Sequence, residues 1–559
     1  MKNHKYIFVV GGVISGVGKG IAASSIGKIL QSRGFAVTAM KIDPYVNVDA
    51  GTMNPTEHGE VFVLRDGDET DQDMGNYERF LDTTLTRANY MTTGRVYQSV
   101  IQAERNLEYK GKCVQVVPHI PIEIIKRIKR AATKAKADIT VIEIGGTVGE
   151  YENILFLEAA RMMKIKNPED VMFVMVSYLP IPSRVGEMKT KPTQHAVRTL
   201  NATGIQPDVI VARSAVPLDK KRKEKVATFC NILKENVISA PDVESIYDVP
   251  INFEKEKLGD IIFQKLHLRK RSKKPDLVGW KHFVARAKSV KREVHIAIVG
   301  KYFDTGDFVL GDSYLSVIEA IKYSAYHLGR KPVIHWLNAE DFEGNKKKLS
   351  ELKNYDGIIV PGGFGARGTQ GKLNVIKFAR QNNIPYFGLC YGMQLLVIEF
   401  ARSVMRLKGA NTAEINPSAK HLLIDIMPEQ KKNLENRDFG GSMRLGEYPA
   451  VLKKGTIAAD AYEKRRIGER HRHRYEVSPQ YIKRLEKAGL VFSGISPDKS
   501  LMEIAELPRE KHPFFVGTQF HPEFQARPLS PHPLFTEFVK AAVKKPKVET
   551  QRKKKKARP

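Results

Sequence analysis

The chain has 559 residues, 42% of them hydrophobic, three cysteines and a formal net charge of +29. That length exceeds what one core accommodates and fits two domains of about 250 residues each. No apolar run approaches the roughly 18 residues that cross a bilayer, and Tyr6 to Val10 is too short for a secretory leader, so a soluble, unexported, cytoplasmic protein is expected; Cys113, Cys230 and Cys390 are odd in number and lack paired spacing, which excludes a disulfide framework and a cysteine-rich zinc site.

In chain order, strand-like runs at Tyr6 to Val10, Ala36 to Ile42, Ile139 to Ile144, Val171 to Val176 and Val209 to Ala212 alternate with amphipathic helical stretches. This alternation predicts βαβ units on a largely parallel sheet. A basic, polar segment follows at Arg269 to Pro275, and the strand pattern restarts at Val294 to Val299, Gly357 to Val360 and Tyr386 to Leu389. With no internal repeat, the fold class is two different α/β domains in tandem: 1–268, a linker over 269–293, and 294–543. The basic tail, 544–559, ends Arg552-Lys-Lys-Lys-Lys-Ala-Arg558 and reads as a disordered, solubilising extension; contact with polyanions is its alternative role, and nucleic acid is not required.

The first strand runs into Gly11-Gly-Val-Ile-Ser-Gly-Val-Gly-Lys-Gly20, and a helix pattern begins near Ile21. Glycines let backbone N–H groups turn onto phosphate oxygens, the helix N-terminus adds its positive dipole end, and Lys19 reaches the outer phosphates. Five residues separate Gly12 from Gly18, and Gly20 stands where a common P-loop has the Ser or Thr that holds Mg²⁺. Carboxylates must then hold the metal, with Asp71, Asp73 and Glu143 as candidates. Lys41-Ile-Asp-Pro-Tyr45 adds a cation and an acid at the same sheet edge, and Lys189-Thr-Lys-Pro-Thr-Gln194, with Lys225, offers a grip for a second triphosphate.

Gly388-Leu-Cys-Tyr-Gly392 follows an apolar run and precedes the helical pattern Met393 to Arg402, the strand, turn and helix of a nucleophile elbow with cysteine in place of serine. The helix N-terminus favours thiolate at Cys390. After the run Phe515 to Thr518, His521-Pro-Glu523 supplies a base and its orienting carboxylate. Pro361-Gly-Gly-Phe-Gly365 follows another strand and offers a backbone N–H to an oxyanion, alongside the N–H of Tyr391. These pieces predict acyl transfer through a thioester.

The residues resemble the CTP synthase family, an amidoligase of the P-loop superfamily fused to a class I glutamine amidotransferase of flavodoxin-like fold. The resemblance spans roughly Lys5 to Pro528 and rests on GGVISGVGKG, KIDPYVNVDAGTMNPTEHGEVFV, ETDQDMGNYERF, VIEIGGTVGE, GEMKTKPTQH, PGGFGARG, RHRHRYEV and GTQFHPE. It implies pyrimidine biosynthesis: ATP, with Mg²⁺, phosphorylates O4 of UTP, and ammonia from glutamine displaces the phosphate. The implied ATP contacts are Ser15, Gly16, Val17, Gly18, Lys19, Gly20, Lys41 and Asp73, with Mg²⁺ on Asp73 and Glu143. UTP and the inhibitor CTP share Ser15, Glu150, Tyr151, Glu152, Lys189, Thr190, Lys191, Pro192, Thr193, Gln194 and Lys225. Glutamine falls to Gly363, Tyr391, Gly392, Met393, Gln394, Glu414 and Arg474, beside catalytic Cys390, His521 and Glu523. The resemblance also implies GTP as allosteric activator, a homotetramer, no redox cofactor and no membrane partner.

Three departures from the family stand out. Tyr391 replaces the usual Leu, Gly149-Glu-Tyr-Glu152 replaces Gly-Asp-Ile-Glu, and Phe303 to Gly311 is longer and more acidic than usual. A carboxylate-directed amidoligase such as a cobyrinic acid amide synthase shares the two-domain plan, but its substrate needs no second triphosphate grip. A basic scaffold acting through the tail leaves both constellations unexplained.

Overall fold

In the computed structural model, which describes residues 4–184, 186–269, 275–301, 311–436 and 439–545, strand Lys5–Gly11 is buried at every position. A continuous apolar run demands this of a strand covered on both faces. It lies within seven parallel strands ordered Tyr90–Thr92, Val37–Asp43, Ile139–Ile144, Lys5–Gly11, Val171–Tyr178, Val209–Ser214 and Val237–Pro241. Register pairs Glu143 with both Val9 and Lys41. The loops after Gly11, Asp43 and Ile144 therefore leave one carboxyl edge of the sheet, where open α/β sheets bind ligands.

The chain divides into two compact units, 1–52 with 64–285, and 53–63 with 286–559. Of the stretch expected to link two domains, 269–293, residues Val278–Ser289 form a helix. Its Trp280 is buried against Phe80 and Tyr247 and donates its indole N–H to the Tyr247 carbonyl at 2.8 Å. The part of this helix up to Ala285 thus packs within the first unit, because a large aromatic there buries more apolar surface than a solvated linker permits. Residues 270–274, residues 302–310 with all but the last position of the departure at 303–311, and the tail beyond 545 lie outside the described residues.

The second unit is built on a nine-stranded sheet. Five parallel strands come first, in the order Lys331–Asn338, Glu293–Gly300, Gly357–Val360, Tyr386–Leu389 and Phe515–Thr518. Numbered along the chain, this is the doubly wound order 2-1-3-4-5. Four antiparallel strands, Met502–Glu506, Val491–Ile495, Arg444–Leu452 and Arg466–His473, extend it. No helix among the described residues is long and apolar enough to cross a membrane.

The segment 53–63 belongs to this second unit although both of its flanks belong to the first. The buried Glu60 carboxylate accepts from the Ser316 backbone N–H with both oxygens at 3.1 Å and from the Ser316 hydroxyl. It thereby caps the positive end of helix Leu315–His327. Phe62 packs edge-on against Phe524 at 5.0 Å, and Arg470 donates to the Val63 carbonyl at 3.0 Å. Glu60→Ala, which leaves those donors without their acceptor, should cost the second unit about 1–3 kcal/mol and lower its calorimetric transition, with Glu60→Gln costing less. An unchanged transition in both variants would contradict the capping role.

Candidate active sites

The glycine loop of the first unit lies between strand Lys5–Gly11 and helix Lys19–Ser32, whose N-cap Gly18 adopts a left-handed backbone (φ 89°). Lys19 is buried and donates to the Gly146 carbonyl at 2.8 Å. Burial pulls its ammonium below the usual lysine range, against the pull of Glu143. Ser15 and Gly16 are exposed at the loop tip, while Val17 and Gly20 are buried. Beside Gly18 opens an apolar cleft lined by Ile21, Ala22, Val176, Val211, Val249 and Phe253. These residues come from four separate stretches of chain and carry no shared sequence signal.

Lys41 stands at the centre of an acidic cluster, 2.5 Å from Asp73, 2.9 Å from Glu143 and 3.7 Å from Asp43. Tyr77 donates to the other oxygen of Glu143, and Asp71 accepts from the Asp73 backbone at 2.8 Å. Burial opposes the Lys41 charge, but Asp73 and Glu143 outweigh it and hold the ammonium well above its usual range. Burial raises Asp43, Asp71 and Glu143; for Asp73 the same burial is overcome by Lys41, which holds that carboxyl down. The candidates Asp71, Asp73 and Glu143 are thus brought together, with Lys41 between the last two. Among the described residues no group of three His, Cys, Asp or Glu has the spacing of a metal cage.

Thr190, Thr193 and Gln194 are buried around the start of helix Lys191–Ala202. Ser177 donates to Thr193 at 2.8 Å, and Gln194 to Thr190 at 3.1 Å. Lys191 is exposed and Pro192 half-buried. Lys189 pairs with Glu187 at 2.8 Å; that bond, with Arg222 and Lys225 adding to it, lowers the Glu187 carboxyl. Glu150 lies against Gly146, while Tyr151 and Glu152 point into solvent, the tyrosine 92% exposed.

In the second unit, Cys390 joins strand Tyr386–Leu389 to helix Tyr391–Ser403 with φ 50° and ψ −100°, a conformation that side-chain-bearing residues rarely hold. Its N–H donates to the Thr518 carbonyl at 2.6 Å, which fastens the turn to the next strand. Gly392 approaches the neighbouring strand so closely that a Cβ would sit 2.1 Å from the Val360 carbonyl oxygen. Leu389 and Thr518 are register partners, so Cys390 and His521 leave the same sheet edge. His521 Nδ1 lies 2.8 Å from Glu523. Burial works against the imidazolium, but Glu523 and the Cys390 sulfur outweigh it and push His521 up to about 10. Gly362 lies against both: a Cβ there would stand 3.1 Å from the His521 ring and 3.8 Å from Cys390 Cβ.

Of the expected glutamine contacts, Tyr391, Gly392, Met393 and Gln394 lie on the helix that starts after Cys390. Glu414 accepts from the Gly365 N–H at 2.6 Å and so pins the loop that carries Gly363; burial raises its carboxyl. Gln394 donates to the Tyr475 carbonyl at 3.0 Å, and Met393 is fully buried. The Arg474 guanidinium is held by Gln430, Phe439 and Ser442 at 2.8–2.9 Å. Tyr391 exchanges a hydrogen bond with Thr369 at 2.9 Å, and the buried Lys372 ammonium sits 5.3 Å from its ring centre. Lys372 has no hydrogen-bond partner, and burial pulls it down to about 7. Neither Lys372 nor Gln519, whose amide reaches the Cys390 sulfur, was singled out by the sequence; Gln519 lies two residues before His521, the one signal that points to it.

The model for the CTP synthase N-terminus matches residues 5–268, and that for class I glutamine amidotransferases matches residues 309–541. The CTP synthase of Pyrococcus abyssi is 53% identical over 96% of this chain and 98% of its own length. That of Caldanaerobacter subterraneus is 51% identical over 96% and 98%. The solved glutaminase domain of Trypanosoma brucei CTPS, with bound acivicin, is 38% identical over 46% of this chain and 96% of that one, with a TM-score of 0.41. With relatives this similar along nearly its whole length, the chain belongs to the CTP synthase family, glutamine-hydrolysing ligases that aminate UTP.

Proposed function

We propose that the second unit frees ammonia at Cys390 and that the first unit, gripping ATP and UTP, consumes it. One observation carries this reading: a sulfur, imidazole and carboxylate meet at one sheet edge in a chain that also holds a lysine-bearing phosphate loop beside a cluster of buried carboxylates. The Cys390 thiolate attacks the carboxamide carbon of glutamine, and the oxyanion meets backbone N–H groups of Tyr391 and the glycine loop. His521 gives its proton to the departing nitrogen, and water then cleaves the thioester to release glutamate. Gly363, Gly392, Met393, Gln394, Glu414 and Arg474 orient the amino acid.

In the first unit, the loop Ser15 to Gly20 and Lys41 hold the ATP phosphates, and the apolar cleft beside Gly18 takes the purine. O4 of UTP attacks the terminal phosphorus, ADP leaves, and ammonia adds at C4 as the C4–O4 bond breaks and phosphate departs. Lys189 to Gln194 and Lys225 grip the UTP triphosphate, with CTP as a competing occupant, and Glu150 to Glu152 lie toward its base. Asp43, Asp71, Asp73 and Glu143 surround a single Lys41, a surplus of buried oxygen donors that suits a hard divalent cation. Asp73 and Glu143 would hold Mg²⁺, which neutralises phosphate charge when bound. We assign GTP the role of activator and the cytoplasm as the compartment. We also assign a homotetramer, in which the largely apolar cleft between helices Thr93–Arg105 and Val116–Lys134, rimmed by the exposed Ile101 and Val116, would be covered by a second copy.

Cys390→Ala should abolish CTP formation from glutamine, a loss of about 1,000-fold or more, while formation from ammonium salts persists. Loss of both in a folded protein would contradict the division of labour. Lys19→Ala should lower both activities by about 100-fold or more, and near-parental turnover with ammonia would remove Lys19 from the phosphate site. Because Glu523 lifts His521, NMR titration should find that imidazolium still protonated above pH 8, and Glu523→Gln should bring its titration to lower pH; an unmoved titration would contradict the pairing.

A further inference from the structure

Gln519 is fully buried between strand Phe515–Thr518 and His521, and its backbone N–H donates to the Glu503 carbonyl at 2.8 Å. Its side-chain nitrogen lies 3.6 Å from Cys390 Sγ, while its side-chain oxygen accepts from Gln394 Nε2 at 3.3 Å. The same Gln394 nitrogen donates to the Tyr475 carbonyl at 3.0 Å. An amide nitrogen has two hydrogens and no acceptor lone pair. Gln394 therefore turns the oxygen of Gln519 toward itself and leaves the N–H of Gln519 facing the sulfur. The sulfur also lies 3.7 Å from the Arg472 carbonyl, which can only accept.

We propose that Gln519 is a further catalytic residue of glutamine hydrolysis, whose side-chain N–H donates to the Cys390 sulfur and favours its anion before attack and again as it leaves. This rests on the reading of Cys390 as the nucleophile. The Arg472 carbonyl stabilises the thiol and the Gln519 amide the thiolate, so the two select between forms, and His521 carries the proton. Where loss of the thiol proton limits attack, a larger anion fraction outweighs the loss of intrinsic reactivity, because thiolate nucleophilicity falls with basicity at a slope of only about 0.4–0.5. When water cleaves the thioester, the C–S electron pair returns to sulfur, and the same N–H receives it.

Gln519→Leu removes the donor at similar volume, and Gln519→Glu keeps the shape while replacing the donor by an acceptor. In the full-length protein, the rate constant for iodoacetamide alkylation of Cys390 at neutral pH, followed by peptide mass spectrometry with the exposed Cys113 as internal reference, should fall about 10- to 100-fold in both. The kcat for glutamine hydrolysis should fall with it, with little change in KM, while CTP formation from ammonium salts persists. A parental alkylation rate at Cys390 in either variant overturns the proposal, whether or not kcat falls. Should Gln519→Leu also lose the ammonium-dependent activity, its fold is disturbed and the shape-preserving Gln519→Glu decides. Failure of the nucleophile reading shows separately, as glutamine hydrolysis that survives Cys390→Ala.

Discussion

A cysteine at φ 50° and ψ −100° cannot hold that backbone alone. Its hydrogen bond to the Thr518 carbonyl and the close approach of Gly392 to Val360 fasten the turn to the strands on either side. From this constraint the rest of the cysteine centre follows. The turn lifts the sulfur clear of the sheet, the parallel register with Phe515–Thr518 delivers Gln519 and His521 to it, and the strand before Gly362 brings the glycine loop against both. A register slip of one residue would turn every one of these side chains to the opposite face.

The two centres handle buried charge in opposite ways. Around Cys390 and His521 the charges are paired: Glu523 and the sulfur both support the imidazolium. Around Lys41, carboxylates outnumber the ammonium, and burial holds Asp43, Asp71 and Glu143 toward their neutral forms. Carboxyls that burial holds toward neutrality ionise more readily beside a cation, so this cluster suits a charged visitor. Phosphates with their counter-cation fit that description, while the balanced cysteine centre suits a substrate whose reacting amide is neutral.

Much of this was legible in the chain itself, because it is local. The strand, loop, lysine and helix from Tyr6 to Leu30 are contiguous, as are the strand, cysteine and helix from Tyr386 to Arg402, and both formed with ends shifted by only a few residues. Strands Tyr90–Thr92 and Val237–Pro241 carry no clear sequence signal: they are short, the latter ends on proline, and they owe their state to pairing at the two edges of a sheet already built. The segment 53–63 reads as a loop of the first domain, and only the Ser316 N–H at a distant helix end shows why Glu60 is there. The cleft beside Gly18, the buried Lys372 and the orientation of Gln519 arise from residues far apart in sequence, where neither periodicity nor spacing has purchase.

The central claim is that one nitrogen atom passes from the cysteine centre to the pyrimidine. It is tested most directly by supplying the protein with glutamine labelled with ¹⁵N at the amide, together with UTP, ATP, Mg²⁺ and GTP, and locating the label by mass spectrometry. The account predicts CTP carrying ¹⁵N in its 4-amino group and unlabelled glutamate in equal amount. Glutamate release without labelled CTP, or no conversion of UTP with any nitrogen donor, would contradict it.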